Sequence, residues 1–199
     1  MASINMNPIL TTNAKGLFST NSNGFTQGDA QDDPAVKFAL SGGLYDAEAT
    51  APIFGGQPVQ EFVSDNVLGS TLKAAADDAD PTAFVVFNQA FAGLTTPQSP
   101  APAFLPGMSV NYYRLGSGAR IPVVLDPASV TLDGDLVSTT VYWNFTENWL
   151  TTTLPGVGQS ALPVKVLKIS AQNNKTVSYD PVTGYANWTT DGVVAVVQI

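Results

Sequence analysis

Histidine and cysteine are both absent from this chain of 199 residues, and only 12% of its residues are charged. Each absence removes a class of chemistry. Without histidine no side chain changes charge near neutral pH, no imidazole can ligate a transition metal, and no Ser-His pair can form. Without cysteine there are no disulfides, no thiolate metal sites and no Cys-His nucleophile, and the chain is indifferent to the redox state of its surroundings. Basic residues are scarce too: 8 Lys and Arg stand against 16 Asp and Glu, a net charge of -8. Lys15, Lys37, Lys73, Arg114, Arg120, Lys165, Lys168 and Lys175 are scattered, whereas a phosphate backbone calls for a clustered basic footprint, so nucleic acid is not the expected partner. Long apolar runs are missing as well, and none approaches the roughly 18 residues of a membrane span. The start, Met1-Ala2-Ser3-Ile4-Asn5, lacks the basic stretch and apolar run of a signal peptide. A soluble protein made in the cytosol of its producer, without a membrane partner, is the expectation.

What remains is 44% hydrophobic, enough for one sizeable domain with a real core. Residues 1–40 are rich in Asn, Ser, Thr and Gly, and their apolar residues (Ile9, Leu10, Leu17, Phe18, Phe25) follow neither a helical nor an alternating period. This composition predicts an extended N-terminal arm over 1–40, ordered by a partner, ahead of a domain over 41–199. Three Asn-x-Thr sequons, at Asn144, Asn174 and Asn187, are read as chance in a chain rich in Thr and Asn.

From residue 41 the chain is punctuated like a β protein, with short apolar, β-branched and aromatic runs closed by Gly, Pro, Asn or Asp. Strands are predicted over 84–88, 109–115, 120–125, 130–132, 136–145, 164–170, 176–179, 185–189 and 193–199. One short helix is conceivable over 72–79, stopped by Pro81. The stretch 90–107 holds Pro97, Pro100, Pro102 and Pro106 and reads as an extended, partly packed loop. Asp180-Pro181-Val182-Thr183-Gly184 has the residues of a tight turn, with Asp to accept a hydrogen bond and Gly to take positive φ. Asp191-Gly192 reads the same way, and Asp133-Gly134 is a further turn candidate. Together with a hairpin closed at Asn173-Asn174-Lys175, these turns predict that the last 25 residues form a three-stranded meander. Trp188, between two turns, is expected in the core.

Carboxylate pairs are the only economical catalytic device left, and candidates are thin. Glu48, Glu61 and Glu147 are the only glutamates, and Asp126, Asp133, Asp180 and Asp191 sit before Gly or Pro, where turn formation explains them. Asp77, Asp78 and Asp80 form an acidic cluster without the ligand spacing of a calcium loop. Gly42-Gly43 and Gly55-Gly56 bracket an alanine-rich loop with no strand-to-helix context for phosphate binding. Alternation places Trp143 and Phe145 on a core face, opposite Tyr142 and Asn144. No catalytic, cofactor-binding or metal-binding residue is expected.

The segments Gly43-Leu44-Tyr45-Asp46-Ala47, Phe84-Val85-Val86-Phe87-Asn88-Gln89, Pro106-Gly107-Met108-Ser109-Val110 and Lys175 to Ile199 resemble the small head decoration (cement) proteins of tailed bacteriophages. The resemblance implies an antiparallel β-sandwich or jelly-roll-like domain, a homotrimer near the three-fold axes of a capsid, and arms reaching over neighbouring capsid subunits. It also implies the major capsid protein as partner, the outer surface of the virion as location, synthesis in the host cytoplasm, and no enzymatic activity. The alternative from another class is a carbohydrate- or receptor-binding β-sandwich that displays aromatics such as Tyr112, Tyr113 or Trp149. A carboxylate hydrolase is the third.

Overall fold

The computed structural model describes residues 24–30, 34–63, 69–75, 80–87, 94–96, 99–131, 139–154, 156 and 161–199. A four-residue helix α1 (Pro34–Lys37) precedes fourteen described strands: β1 (Ser41–Tyr45), β2 (Pro58–Val63), β3 (Ser70–Ala74), β4 (Ala83–Val86), β5 (Leu94–Thr96), β6 (Ser99–Ala103), β7 (Ser109–Arg114), β8 (Arg120–Val124), β9 (Tyr142–Asn144), β10 (Trp149–Thr151), β11 (Lys165–Ser170), β12 (Thr176–Asp180), β13 (Tyr185–Thr189) and β14 (Val194–Gln198). The expected all-β, antiparallel class holds: among pairings of these strands only β1–β3 is parallel.

Five strands close into a barrel in the order β1-β3-β2-β4-β7, with β7 returning to β1. Alternation along each strand decides what fills it. Ala83 and Val85 of β4, and Val110 and Tyr112 of β7, join Tyr45, Val59 and Leu72 in the interior cluster, which Ile53 and Phe104 complete. At the level of Tyr112 the barrel has no room for a further side chain. Gly43 of β1 yields its place: a Cβ there would sit 3.2 Å from the Tyr112 ring and 2.9 Å from the Ser70 carbonyl.

The other face of β4 and β7 is buried as well. Phe84, Val86 and Tyr113 point away from the barrel axis into a second cluster, shared with Ile121 and Val123 of β8, Val166 of β11 and Ala195 and Val197 of β14. The barrel wall and the three-stranded sheet β11-β14-β8 therefore stack as two layers, the sandwich-like part of the fold. Trp143 enters the same cluster, edge-on to Phe84 at 6.0 Å between ring centres, and Phe145 packs against it, as alternation predicts. On another side, the hairpin β12–β13 meets β6 across a third, smaller cluster around Phe54, Ala101, Ala103 and Ala186. Ser99 Oγ fastens the two, accepting the N–H of Ala186 at 2.9 Å.

Several expectations are corrected. At the start of the helix conceived over 72–79, Leu72 lies in β3 between β1 and β2, where barrel closure overrides alanine propensity; residues 76–79 lie outside the described residues. The glycine-rich stretch from Gly42 is β1, and the proline-rich stretch contains the hairpin β5–β6. Pro100 and Pro102 are tolerated there because they alternate with buried Ala101 and Ala103, so their missing N–H groups face one edge. Around Val130 the chain forms a short 3-10 turn over Pro127–Thr131 instead of a strand. Of the run 136–145 only Tyr142–Asn144 is strand among the described residues.

The C-terminal meander is the largest correction. The turn at Asp180 is as expected: Gly184 has φ 73°, and Asp180 accepts the N–H of Val182 at 2.9 Å. But β14 leaves the hairpin, pairing with β11 and β8, and Asn173-Asn174-Lys175 connects strands of different sheets. Gly192 is not a left-handed turn residue. It is small because Thr176 crosses it, with Oγ1 2.2 Å from where a Cβ would stand.

The expected arm changes too. Residues 1–23 lie outside the described residues, while 24–30 are built into the domain and Ala30, Val36 and Leu40 pack on its larger cluster. The boundary at residue 40 does not separate arm from core.

Candidate functional site

The main polar clusters of the described structure are engaged by the fold itself, while Thr71 Oγ1, Asn111 Nδ2 and Trp143 Nε1 are buried without a hydrogen-bond partner. At one mouth of the barrel, β2 presents Glu61, β3 presents Ser70, and β7 presents Tyr112 and Arg114, all on the inward side of the alternation. Glu61 accepts Arg114 Nε and Nη2, each at 2.6 Å, together with the hydroxyls of Tyr112, at 2.5 Å, and Ser70. The Arg114 hydrogen bond, offset in part by burial, holds the Glu61 carboxyl down at about 2. Tyr112 is pushed up by burial and by its hydrogen bond to Glu61. A carboxylate held this way is a permanent anion, unsuited to donating a proton near neutral pH. At the opposite mouth Tyr45 donates its hydroxyl to the Ala51 carbonyl at 2.8 Å, and burial raises its pKa to about 12.

The remaining acidic candidates do not converge with Glu61. Glu48 and Glu147 are exposed in separate loops. Asp126 accepts Ala128 N at 2.9 Å and Thr151 Oγ1 at 3.1 Å, fixing the 3-10 turn against β10. Asp180 is lowered by the hydroxyl of Thr183 and the N–H of Val182, the bonds of its own turn. Asp191 and Asp80 are exposed, while Asp77, Asp78 and Asp133 lie outside the described residues. Among the described residues no three acidic side chains gather as metal ligands would.

The aromatics proposed for ligand stacking are placed elsewhere. Tyr112 fills the barrel, Tyr113 is buried in the larger cluster, and Trp149 is partly covered in β10. Of the three aromatics named for the carbohydrate-binding alternative, only Trp149 keeps part of its surface in water. Of the sequons, Asn174 is fully buried, Asn144 accepts the N–H groups of Thr146 and Glu147 at 3.0 Å, and only Asn187 stands on an exposed strand face.

Two features escaped the sequence reading. One is the polar seam at residues 24–30. Buried Gln27 donates Nε2 to the Gly55 carbonyl at 2.8 Å and accepts the Val177 N–H at 2.9 Å. Asn174 accepts the Phe25 N–H at 2.9 Å and donates to the carbonyls of Ser170, at 2.7 Å, and Gly192, at 2.9 Å. Nothing local in the sequence marks either residue, since their partners lie up to 150 positions away. The other is a set of apolar side chains left in water: Phe38 is 94% exposed and Val182 92%, with Leu154, Tyr185 and Leu105 partly exposed. Val182 caps the turn whose backbone Asp180 holds, so its methyl groups protrude from a fixed support.

No helix among the described residues is long and apolar enough to cross a membrane. No family model matches the chain, and neither a curated protein nor a solved structure matches it.

Proposed function

We propose that this chain is a structural component of a virus particle, a decoration protein that binds the outer surface of a phage head as a homotrimer at three-fold positions and stabilises it. The observation that carries this reading is the contrast between spent polar chemistry and unspent apolar surface. The polar groups gathered around Glu61, Gln27 and Asn174 are bonded within the fold, while Phe38 and Val182 stand almost fully in water. A side chain raised on a rigid turn loses little freedom when it docks, so such protrusions suit binding by area and shape. The low charge of the chain favours the same use, because neutral surface is cheap to desolvate.

On this reading the partner is the major capsid protein, and three linked copies engage several capsid subunits at once. Binding to the assembled particle then raises its stability by mass action. The test compares disruption temperatures of heads with and without the protein and counts its copies around each three-fold axis. Decorated heads are expected to withstand higher temperature and stronger dilution. Equal temperatures, or monomers at unrelated positions, overturn the proposal.

A further inference from the structure

The lysines and arginines are scattered in the sequence, but the sheet β11-β14-β8 brings three of them onto one face. Lys165 of β11 stands opposite Gln198 of β14, and Gln198 opposite Arg120 of β8, so one row crosses all three strands. In the neighbouring row Val166, Val197 and Ile121 point into the larger cluster, and alternation therefore turns Lys165, Gln198 and Arg120 to the other face. The bulge between Val166 and Lys168 returns Lys168 to that same face, opposite Val196, since Ile169 after it packs on the cluster. All three cations are exposed, with Gln198 half-buried among them. Strand spacing puts the backbones of Arg120 and Lys165 about 10 Å apart. Arg114 is bonded to Glu61 and Lys73 lies 4.0 Å from Asp46, whereas Arg120, Lys165 and Lys168 have no ion pair among the described residues. The Lys168 ammonium lies 5.2 Å from the Phe25 ring centre, a contact that positions the charge without neutralising it.

We infer that this face is a docking surface for a short acidic segment of a protein partner, whose carboxylates meet Arg120, Lys165 and Lys168 while the Gln198 amide donates a hydrogen bond between them. In a chain with 16 acidic and only 8 basic side chains, three unpaired cations on one face make a local positive field within an acidic molecule. That contrast selects the occupant. A nucleic acid or an anionic membrane carries its charge well beyond three cations and meets repulsion from the rest of the chain, whereas a short acidic segment confines its charge to the patch. Nor does the face offer lipid an apolar anchor, because none of the exposed large apolar side chains (Phe38, Leu105, Leu154, Val182, Tyr185) lies on β8, β11 or β14. For the same reason this surface is distinct from the apolar protrusions at Phe38 and Val182, and the inference stands whether or not the particle is a phage head.

The probe is a fluorescently labelled hexaglutamate peptide, with hexaglutamine carrying the same label as its neutral control, titrated with the full-length protein at low salt and followed by fluorescence anisotropy. The acidic peptide is expected to bind, weakly and less as salt is added, and the neutral peptide not to bind. Replacing the three cations together (Arg120→Gln, Lys165→Gln, Lys168→Gln) is expected to weaken binding about ten-fold or more, the summed effect of three modest exposed contacts. Lys73→Gln removes the same charge from a paired position and is expected to change binding less than about two-fold. The replaced side chains are exposed, so an unchanged thermal melt is expected to accompany the loss. Should the triple variant not fold, Arg120→Gln and Lys165→Gln are read singly, each expected to weaken binding about two- to three-fold. Equal binding by these variants and the unaltered protein, or a loss as large in Lys73→Gln, overturns the inference. A short DNA duplex and phosphatidylglycerol vesicles serve as competitors at equal concentration of negative charge, and displacement of the peptide by either assigns the face to that polyanion and overturns the inference as well.

Discussion

The side-chain oxygen of Asn174 accepts the main-chain N–H of Phe25 at 2.9 Å, joining positions 149 residues apart. The same amide donates to Ser170 O and Gly192 O, so one buried side chain holds the N-terminal segment, the end of β11 and the approach to β14. Asn174→Ala leaves one donor and two acceptors without partners in a fully buried place, and is expected to cost about 3 kcal/mol or more. Asn187→Ala, on an exposed strand face, is expected to stay within about 0.5 kcal/mol. Urea melts of the two variants check this, and equal losses would show that the Asn174 bonds contribute little.

Gly192 and Gly184 are both small for different reasons, and substitution separates them. Gly184→Ala meets no neighbour and suffers only from its φ of 73°, about 1 kcal/mol. Gly192→Ala drives a methyl group into Thr176 and is expected to cost roughly 1 to 3 kcal/mol. Trimming Thr176 to Ala in the Gly192→Ala background then recovers part of that loss, whereas it recovers nothing beside Gly184→Ala. A double-mutant cycle with no coupling between 176 and 192 would contradict the steric account.

Two tryptophans expected in the core differ in depth. Trp143 is 2% exposed and shares its cluster with Phe84, so Trp143→Ala is expected to cost about 3 to 5 kcal/mol. Trp188 is only partly covered, edge-on to Phe87 at 6.1 Å, and its removal is expected to cost about half as much. Denaturant midpoints read the order directly.

Glu61 gives the acid limb of stability a defined origin. Its carboxyl is lowered from the ordinary 4.5 to about 2, so its bonds contribute fully above pH 4.5 and are lost as pH falls towards 2. The Arg114 partner is more than half exposed, so solvent screens the pair and its contribution is modest. Glu61→Gln is expected to lower stability at pH 7 and to flatten its decline between pH 4.5 and 2. Thermal melts across that range check it, and an unchanged slope would assign the acid limb to other carboxylates.

By itself the sequence determined the all-β class, the strands from Ser109 through Val124, the core face of Trp143, and the tight turn at Asp180. Each rests on neighbours within a few residues: alternation along a strand, or a Pro-Val-Thr-Gly run that presets backbone angles. Apart from the β12–β13 hairpin, which the Asp180 turn sets, tertiary structure decided which strands pair. β1 is too glycine-rich and β6 too proline-rich to look like strands, yet Gly43 is what lets Tyr112 into a narrow barrel, and Pro100 and Pro102 turn their missing donors to one edge. Asp191-Gly192 has hairpin residues but serves as a crossing point, because Asn174 and Thr176 occupy the space around it. Gln27 carries no local sign of its role, since a hydrogen bond between residues 27 and 177 is created only when the sheets are already stacked. Short-range geometry is written in short-range sequence. Pairing, closure and the seam at 24–30 arise from burial shared across the whole chain, where one side chain's fit depends on many distant ones.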